Sequence, residues 1–244
     1  MKKIIHLSDL HVGYKHCENN LKKLVTDILD KYSPDTHVVV VTGDIVENAN
    51  KDGSYDKARN QFKRLEDKKY KVLVVPGNHD YGSGGKGKKK YVKLFKKAFF
   101  DDRSVKYPKV DPDGDIIFVG LDSMAETFDW LDVWGADGEL GNKQLKDLAR
   151  LLDSDKFQGK KKVVYLHHHP FDARGRLHML KDYRQLKKVI EGKVDCLLFG
   201  HNHDGNQYPD VWAIKQCYDG SSSTGKSEEK GKPATPLRVI KLDA

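Results

Sequence analysis

Residues 3–11 read Lys3-Ile4-Ile5-His6-Leu7-Ser8-Asp9-Leu10-His11. A short apolar run rich in branched residues stops abruptly in polar side chains. The run predicts a strand at 3–7. Comparable runs predict strands at 37–41, 71–75, 115–120, 162–167 and 194–199, with two more at 211–217 and 236–242. Between them lie helical patterns at 18–31, 55–68, 87–100, 142–153 and 181–191. In the first helix Leu21, Leu24, Val25, Ile28 and Leu29 fall on one stripe. The strand runs do not alternate apolar with polar, as expected of strands covered on both faces. Pro108 to Gly114 reads as a hairpin or loop. The two last strands have no strong helix between them, so the late part of the chain is expected to be more antiparallel. The sum is an α/β sandwich, with mixed sheets flanked by helices, in one domain over 1–244.

Composition narrows the class. The chain has 244 residues, enough for one sizeable core. The longest purely aliphatic runs, Val38–Val41 and Val72–Val75, are four residues each and exclude a transmembrane helix. The start has lysines but no apolar core, so no secretory leader is expected. Cys17, Cys196 and Cys217 are an odd number with no close pair, which predicts reduced thiols and a cytoplasmic setting. The formal charge of +8 suits anionic partners, phosphates or nucleic acid among them. Seven lysines crowd into Lys86–Lys97, just after Gly82-Ser83-Gly84-Gly85, and a second cluster is Lys160-Lys161-Lys162. Asp219 to Pro236, rich in Ser, Gly and Lys, reads as a late loop.

The polar residues are placed more tellingly than the charge. Strand after strand ends in metal-capable side chains: Ser8-Asp9-Leu10-His11, Thr42-Gly43-Asp44, Gly77-Asn78-His79-Asp80, His167-His168-His169-Pro170 and Gly200-His201-Asn202-His203. Ligands of open α/β sheets bind outside the carboxyl ends of the strands. Any one cluster is commonplace as a turn or polar loop. Together they hold seven of the eleven histidines, and no ordinary core needs so many imidazoles and carboxylates at one edge. A metal centre with oxygen and nitrogen ligands and no thiolate is therefore expected, suited to Mn, Fe, Zn, Co or Ni.

In order and in spacing (about 34 residues between the first three blocks) these motifs resemble the calcineurin-like metallophosphoesterase superfamily. The resemblance runs from residue 4 to about 205. Gly138 to Leu148, with Leu121-Asp122-Ser123 before it, looks like the class III cyclic nucleotide phosphodiesterase branch. The resemblance implies a four-layer αββα sandwich of two mixed β-sheets, the metallo-dependent phosphatase fold. It also implies two metal ions. Asp9, His11 and His203 would hold the first, Asn78, His168 and His201 the second, and Asp44 would bridge them. A tight turn after Gly200 would let His201 and His203 reach different metals. The family ligand lies two residues before the proline, which is His168. His167 ends the strand and competes for that role, and whichever histidines are unused would orient ligands by hydrogen bonds.

The implied reaction is hydrolysis of a phosphoester by a hydroxide bridging the two metals. His79 would protonate the leaving oxygen or hold a phosphate oxygen, and Asp80 would orient His79. The implied substrate is a small phosphoester, nucleotide-like, with a diester or mixed mono- and diester preference. Phe128, Trp130 and Trp134 could stack a base or pack on a helix, and Arg174, Arg176 and His178 could reach a phosphate. Two other classes remain open. The lysine run and charge suit a metal-dependent nuclease, and a non-catalytic scaffold of the retromer-subunit kind would share the fold, although the full ligand set argues against it.

Overall fold

The computed structural model describes residues 1–49, 53–82, 89–125, 137–171, 180–226 and 237–243. Its first half is three parallel strands linked by helices: β1 (Lys3–Leu7), α1 (Cys17–Lys31), β2 (His37–Thr42), α2 (Ser54–Asp67), β3 (Val72–Val75) and then α3 (Lys89–Phe100). The chain next builds a second sheet with β4 (Lys109–Asp113), β5 (Ile116–Gly120), α4 (Asn142–Leu152), β6 (Lys161–Tyr165), α5 (Tyr183–Ile190), β7 (Cys196–Phe199) and β8 (Gln216–Asp219). β9 (Arg238–Ile240) returns to the first sheet. The strand orders are β3-β2-β1-β9 and β4-β5-β6-β7-β8. Each sheet is mixed, because β9 runs antiparallel to β1 and β4 antiparallel to β5.

The period of two along each strand explains the layers. Ile4, Val38, Val40, Leu73 and Val75 of the first sheet pack against Phe118, Val163, Tyr165, Cys196 and Leu198 of the second. The alternate residues Ile5, Leu7, Val39 and Val41 face α1, α2 and α3. Ile117, Val119, Val164 and Leu197 face α4 and α5. Both faces of both sheets are therefore apolar, and the order is helix, sheet, sheet, helix, as expected. Each such side chain taken from water contributes about 1.5–3 kcal/mol before chain entropy is counted.

Two expectations need correction. The late part is not generally antiparallel: β8 runs parallel to β7, pairing Cys196 with Gln216 and Phe199 with Asp219. The loop that carries the chain back along the sheet takes the place of a crossover helix, which is why no helical pattern marked it. The strand expected at 211–217 begins only at Gln216, and Val211 and Ile214 instead form an isolated antiparallel bridge. Pro108 to Gly114 is indeed a hairpin arm, with Pro112 tolerated because β4 is a sheet edge. Among the described residues no helix is long and apolar enough to cross a membrane. The three cysteines are buried thiols. Phe128, Trp130, Trp134, Arg174, Arg176, His178, Lys86, Lys88 and most of the loop after Lys226 lie outside the described residues.

Candidate metal centre

The carboxyl ends of β1, β2, β3, β6 and β7 converge, and the loops after them turn sharply. Asp9, His11, Asp44, His201 and His203 all have left-handed backbones, with φ of 51°, 45°, 48°, 76° and 58°. Each such conformation in a non-glycine residue costs about 1–3 kcal/mol, which the packed surroundings must offset. A straight strand would send residues two apart, such as His201 and His203, to the same face, and the turns let them diverge.

One cluster is formed by Asp9, His11 and His203. Asp9 Oδ1 lies 3.0 Å from His203 Nε2 and 3.9 Å from His11 Nε2, and the two ring nitrogens are 3.3 Å apart. A second cluster is formed by Asp44, Asn78, His167 and His201. His167 Nε2 lies 3.1 Å from Asn78 Oδ1, 3.4 Å from Asp44 Oδ2 and 3.2 Å from His201 Nδ1. His201 Nδ1 is 3.2 Å from the same Asn78 oxygen. His201 and His203 thus turn to different clusters. Asp44 stands between them, its Oδ2 3.9 Å from His11 Nε2.

His168, expected as a ligand, lies beside the second cluster, its ring centroid 4.6 Å from that of His201, with Nδ1 engaged elsewhere. Its Nδ1 is 2.8 Å from Ser123 Oγ, and its ring packs on the backbone at Gly138. The reason is again the period of two. Val163 and Tyr165 point between the sheets, so His167 continues that face toward Thr42 and Asp44. Val164 and Leu166 point to the α4 and α5 layer, and His168 goes with them. His167 donates from Nδ1 to the Thr42 carbonyl at 2.8 Å, which leaves Nε2 turned to the cluster. His169 pairs with Tyr208 through Nε2 at 3.0 Å.

The other two catalytic expectations are placed differently from one another. His79 is partly exposed, and its Nδ1 donates to the Glu47 carbonyl at 2.7 Å. That orients Nε2 toward Asp44 Oδ2, 4.0 Å away. Asp80 was expected to orient His79 and instead binds backbone. Its carboxylate accepts from Gly77 N at 2.9 Å, Val46 N at 2.9 Å and Ile45 N at 3.2 Å. It ties the loop carrying Asp44 to the loop carrying Asn78. Buried backbone N–H groups need acceptors, and Asp80 is the residue placed to supply them.

Sequence reading missed Glu47 and Lys226. Glu47 Oε2 lies 2.9 Å from His11 Nδ1, and Lys226 Nζ lies 2.6 Å from the same oxygen. A carboxylate three residues beyond Asp44 was a usable signal; Lys226, distant in sequence and in a Ser- and Gly-rich stretch, offered none.

The electrostatics favour a cation. Burial alone would raise the Asp9 and Asp44 carboxyls, yet the imidazoles around them hold both well below the usual carboxylate range: His203 and His167 at Asp9, and His167, His79 and His11 at Asp44. Burial would lower His167, but Asp44, then Asp9 and the Thr42 carbonyl, push it up to about 9. The buried carboxylates raise His167, whereas burial holds the imidazole of His11 down at about 4. The donors Asp9, His11 and His203, and likewise Asp44, His167 and His201, lie within 4.8 Å of one another and could each hold a metal ion. Carboxylate and imidazole donors fit borderline divalent metals.

The family model described as calcineurin-like phosphoesterase matches residues 2–205. An uncharacterized metallophosphoesterase of Campylobacter jejuni is 28% identical over 215 residues, 87% of this chain. The chain spans about half, 47%, of that relative's length. A dimetal phosphatase from Danio rerio superposes with a TM-score of 0.62 at 15% identity, covering 89% of this chain and 86% of that one. A 5′-nucleotidase from Candida albicans does so with a TM-score of 0.51 at 12% identity, covering 91% and 46%. At such identities the two structures show a shared fold. The family match, by contrast, takes in all five strand-end motifs and well over half of the sequence, so the chain belongs to the calcineurin-like phosphoesterase family.

Proposed function

We propose that this protein is a metal-dependent phosphoester hydrolase of small nucleotide-like substrates, with a diester or mixed mono- and diester preference. One observation carries the reading. A single buried carboxylate oxygen, Asp44 Oδ2, lies within 4 Å of a ring nitrogen in each cluster, 3.9 Å from His11 and 3.4 Å from His167. Two like-charged ions at close range need such a shared anion between them. In this reading Asp9, His11 and His203 hold the first ion. Asn78, His167 and His201 hold the second, with Asp44 common to both. Two bound divalent ions would supply Lewis-acid charge to a phosphoryl group and lower the pKa of water.

The chain's own groups do the rest. Glu47 fixes the tautomer of His11 by accepting from Nδ1, which leaves Nε2 as the donor atom. His79, fixed at Nδ1 by the Glu47 carbonyl, presents Nε2 at the rim of the site. There it can hold a phosphate oxygen or pass a proton to the leaving oxygen. The described lysines of α3 support an anionic substrate. Lys90, Lys93 and Lys97 are exposed, and α3 is seated beside the His79 loop by Phe95 against Tyr81, rings 5.8 Å apart. The shared fold of a 5′-nucleotidase is in keeping with a nucleotide-like substrate.

The test is a panel on chelated protein with manganese restored: bis-p-nitrophenyl phosphate, p-nitrophenyl phosphate, cyclic nucleotides, nucleoside monophosphates and single-stranded DNA. Metal-dependent turnover of the small esters is expected. Faster cleavage of DNA, weakening with salt, would make the protein a nuclease. No metal uptake and no turnover would leave a scaffold.

A further inference from the structure

A line of buried polar side chains runs back from Asp9 into the space between the sheets. Ser8 Oγ is 2.5 Å from Asp9 Oδ2, Thr42 Oγ1 is 2.8 Å from Ser8 Oγ, and His6 Nε2 is 2.9 Å from Thr42 Oγ1. None of the four residues is exposed to solvent. Competing contacts are longer: Ser8 Oγ to the Thr42 carbonyl and Thr42 Oγ1 to the Leu7 carbonyl are both 3.4 Å.

Hydrogen counting fixes the direction. A hydroxyl has one hydrogen to donate. Asp9 Oδ2 already accepts from the His201 amide at 3.1 Å, and a carboxylate oxygen can only accept, so Ser8 donates to it. Ser8 must then accept from Thr42, and Thr42, its hydrogen used, must accept from His6. His6 is therefore protonated at Nε2 and bare at Nδ1. Nδ1 has no hydrogen-bond partner among the described residues, and a buried lone pair is a lesser defect than a buried orphan N–H. Burial, with Arg238 opposite His6 on β9, holds the imidazole down at about 3, so the ring is neutral.

The space for this line is kept by two glycines from the other sheet. A Cβ on Gly200 would overlap Ser8 Oγ and come to 2.5 Å from Asp9 Oδ2. A Cβ on Gly220 would come to 2.5 Å from Ser8 Cβ and 3.0 Å from His6 Nε2.

We propose that His6, Thr42 and Ser8 form a one-way hydrogen-bond relay that positions the Asp9 carboxylate for metal binding. All three donate toward Oδ2, which leaves Oδ1 turned to His203 and His11. They are positioning residues, and the proposal rests on the reading of Asp9 as a ligand. Charge-assisted bonds in series strengthen one another, and the loss of such a support costs about 10–100-fold in metal affinity.

Two experiments test it. Nitrogen-15 NMR of histidine-labelled, metal-free wild-type protein reads the His6 tautomer, its signal identified by its absence in His6→Gln. The Nε2–H form is expected, and an Nδ1–H form overturns the relay whether or not metal ever binds. Manganese titration followed by electron paramagnetic resonance compares Thr42→Val with Thr42→Ser, with urea midpoints measured on the same samples. Thr42→Val is expected to weaken binding about tenfold or more, and Thr42→Ser to restore it to within about threefold. A folded Thr42→Val with wild-type manganese affinity overturns the proposal. A wild-type protein that takes up no manganese counts against the hydrolase reading and leaves the tautomer to decide the relay.

Discussion

Replacing His167 and His168 separately, each by alanine, locates the second metal site. The two residues are neighbours in sequence and differ in surroundings. Burial would lower His167, but Asp44, Asp9 and the Thr42 carbonyl together outweigh it and push the ring up to about 9 from an ordinary 6.5. A histidine raised in the native state stabilises it fully below the unfolded pKa, and that stability is lost as pH rises through the native value. At pH 7, with the ring charged in the native state and mostly neutral when unfolded, the difference is on the order of 2–3 kcal/mol. His167→Ala apoprotein should lose roughly that much, about 5–10 °C in melting temperature for a chain of this size. The deficit should shrink toward pH 9 and above. Metal ions compete with this proton, so the same variant should bind one ion fewer than wild type. His168→Ala removes a ring bonded to Ser123 and should keep both ions. The assays are calorimetric melting in chelator across pH 6–10 and metal counting after dialysis. If His168→Ala loses the ion and His167→Ala keeps it, the assignment from strand period is refuted.

Asp80→Ala strands three buried backbone donors, each worth about 1–3 kcal/mol when unpaired, so the urea midpoint should fall. A variant as stable as wild type with kcat reduced a hundredfold would return Asp80 to the role of orienting His79. His79→Ala should keep both metals and lose about 100- to 10,000-fold in kcat, measured on a diester with a poor leaving group; unchanged turnover would remove His79 from the reaction. Burial, partly offset by the Met124 amide and the Tyr81 hydroxyl, pushes the Asp122 carboxyl up to about 6. A raised carboxyl favours the native state while protonated, so this contribution is lost as pH rises from about 4 through about 6. Asp122→Asn should remove that slope, on the order of 2 kcal/mol between pH 4.5 and 7.5, in urea midpoints measured at those two pH values against wild type; parallel curves would rule it out.

What the sequence by itself determined is most of the strands, the apolar nature of their faces, and the five strand ends that carry ligand-type side chains. Those are local properties: branched apolar runs such as Ile4-Ile5 and Val38 to Val41 bury on both faces, and Asp9, Asp44, Asn78 and His201 follow such runs at once. Tertiary structure decided the rest, because it depends on direction and on partners far away in the chain. Whether His167 or His168 meets Asp44 depends on which face of β6 looks at the other sheet, and a period of two cannot name its own phase. Asp80 looked like a partner of the adjacent His79, but once the Asp44 and Asn78 loops lie side by side its carboxylate is claimed by their amides. The parallel course of β8 follows from a long polar loop that no periodicity marks. Glu47 and Lys226 meet His11 across 36 and 215 residues of chain, a distance that only folding removes.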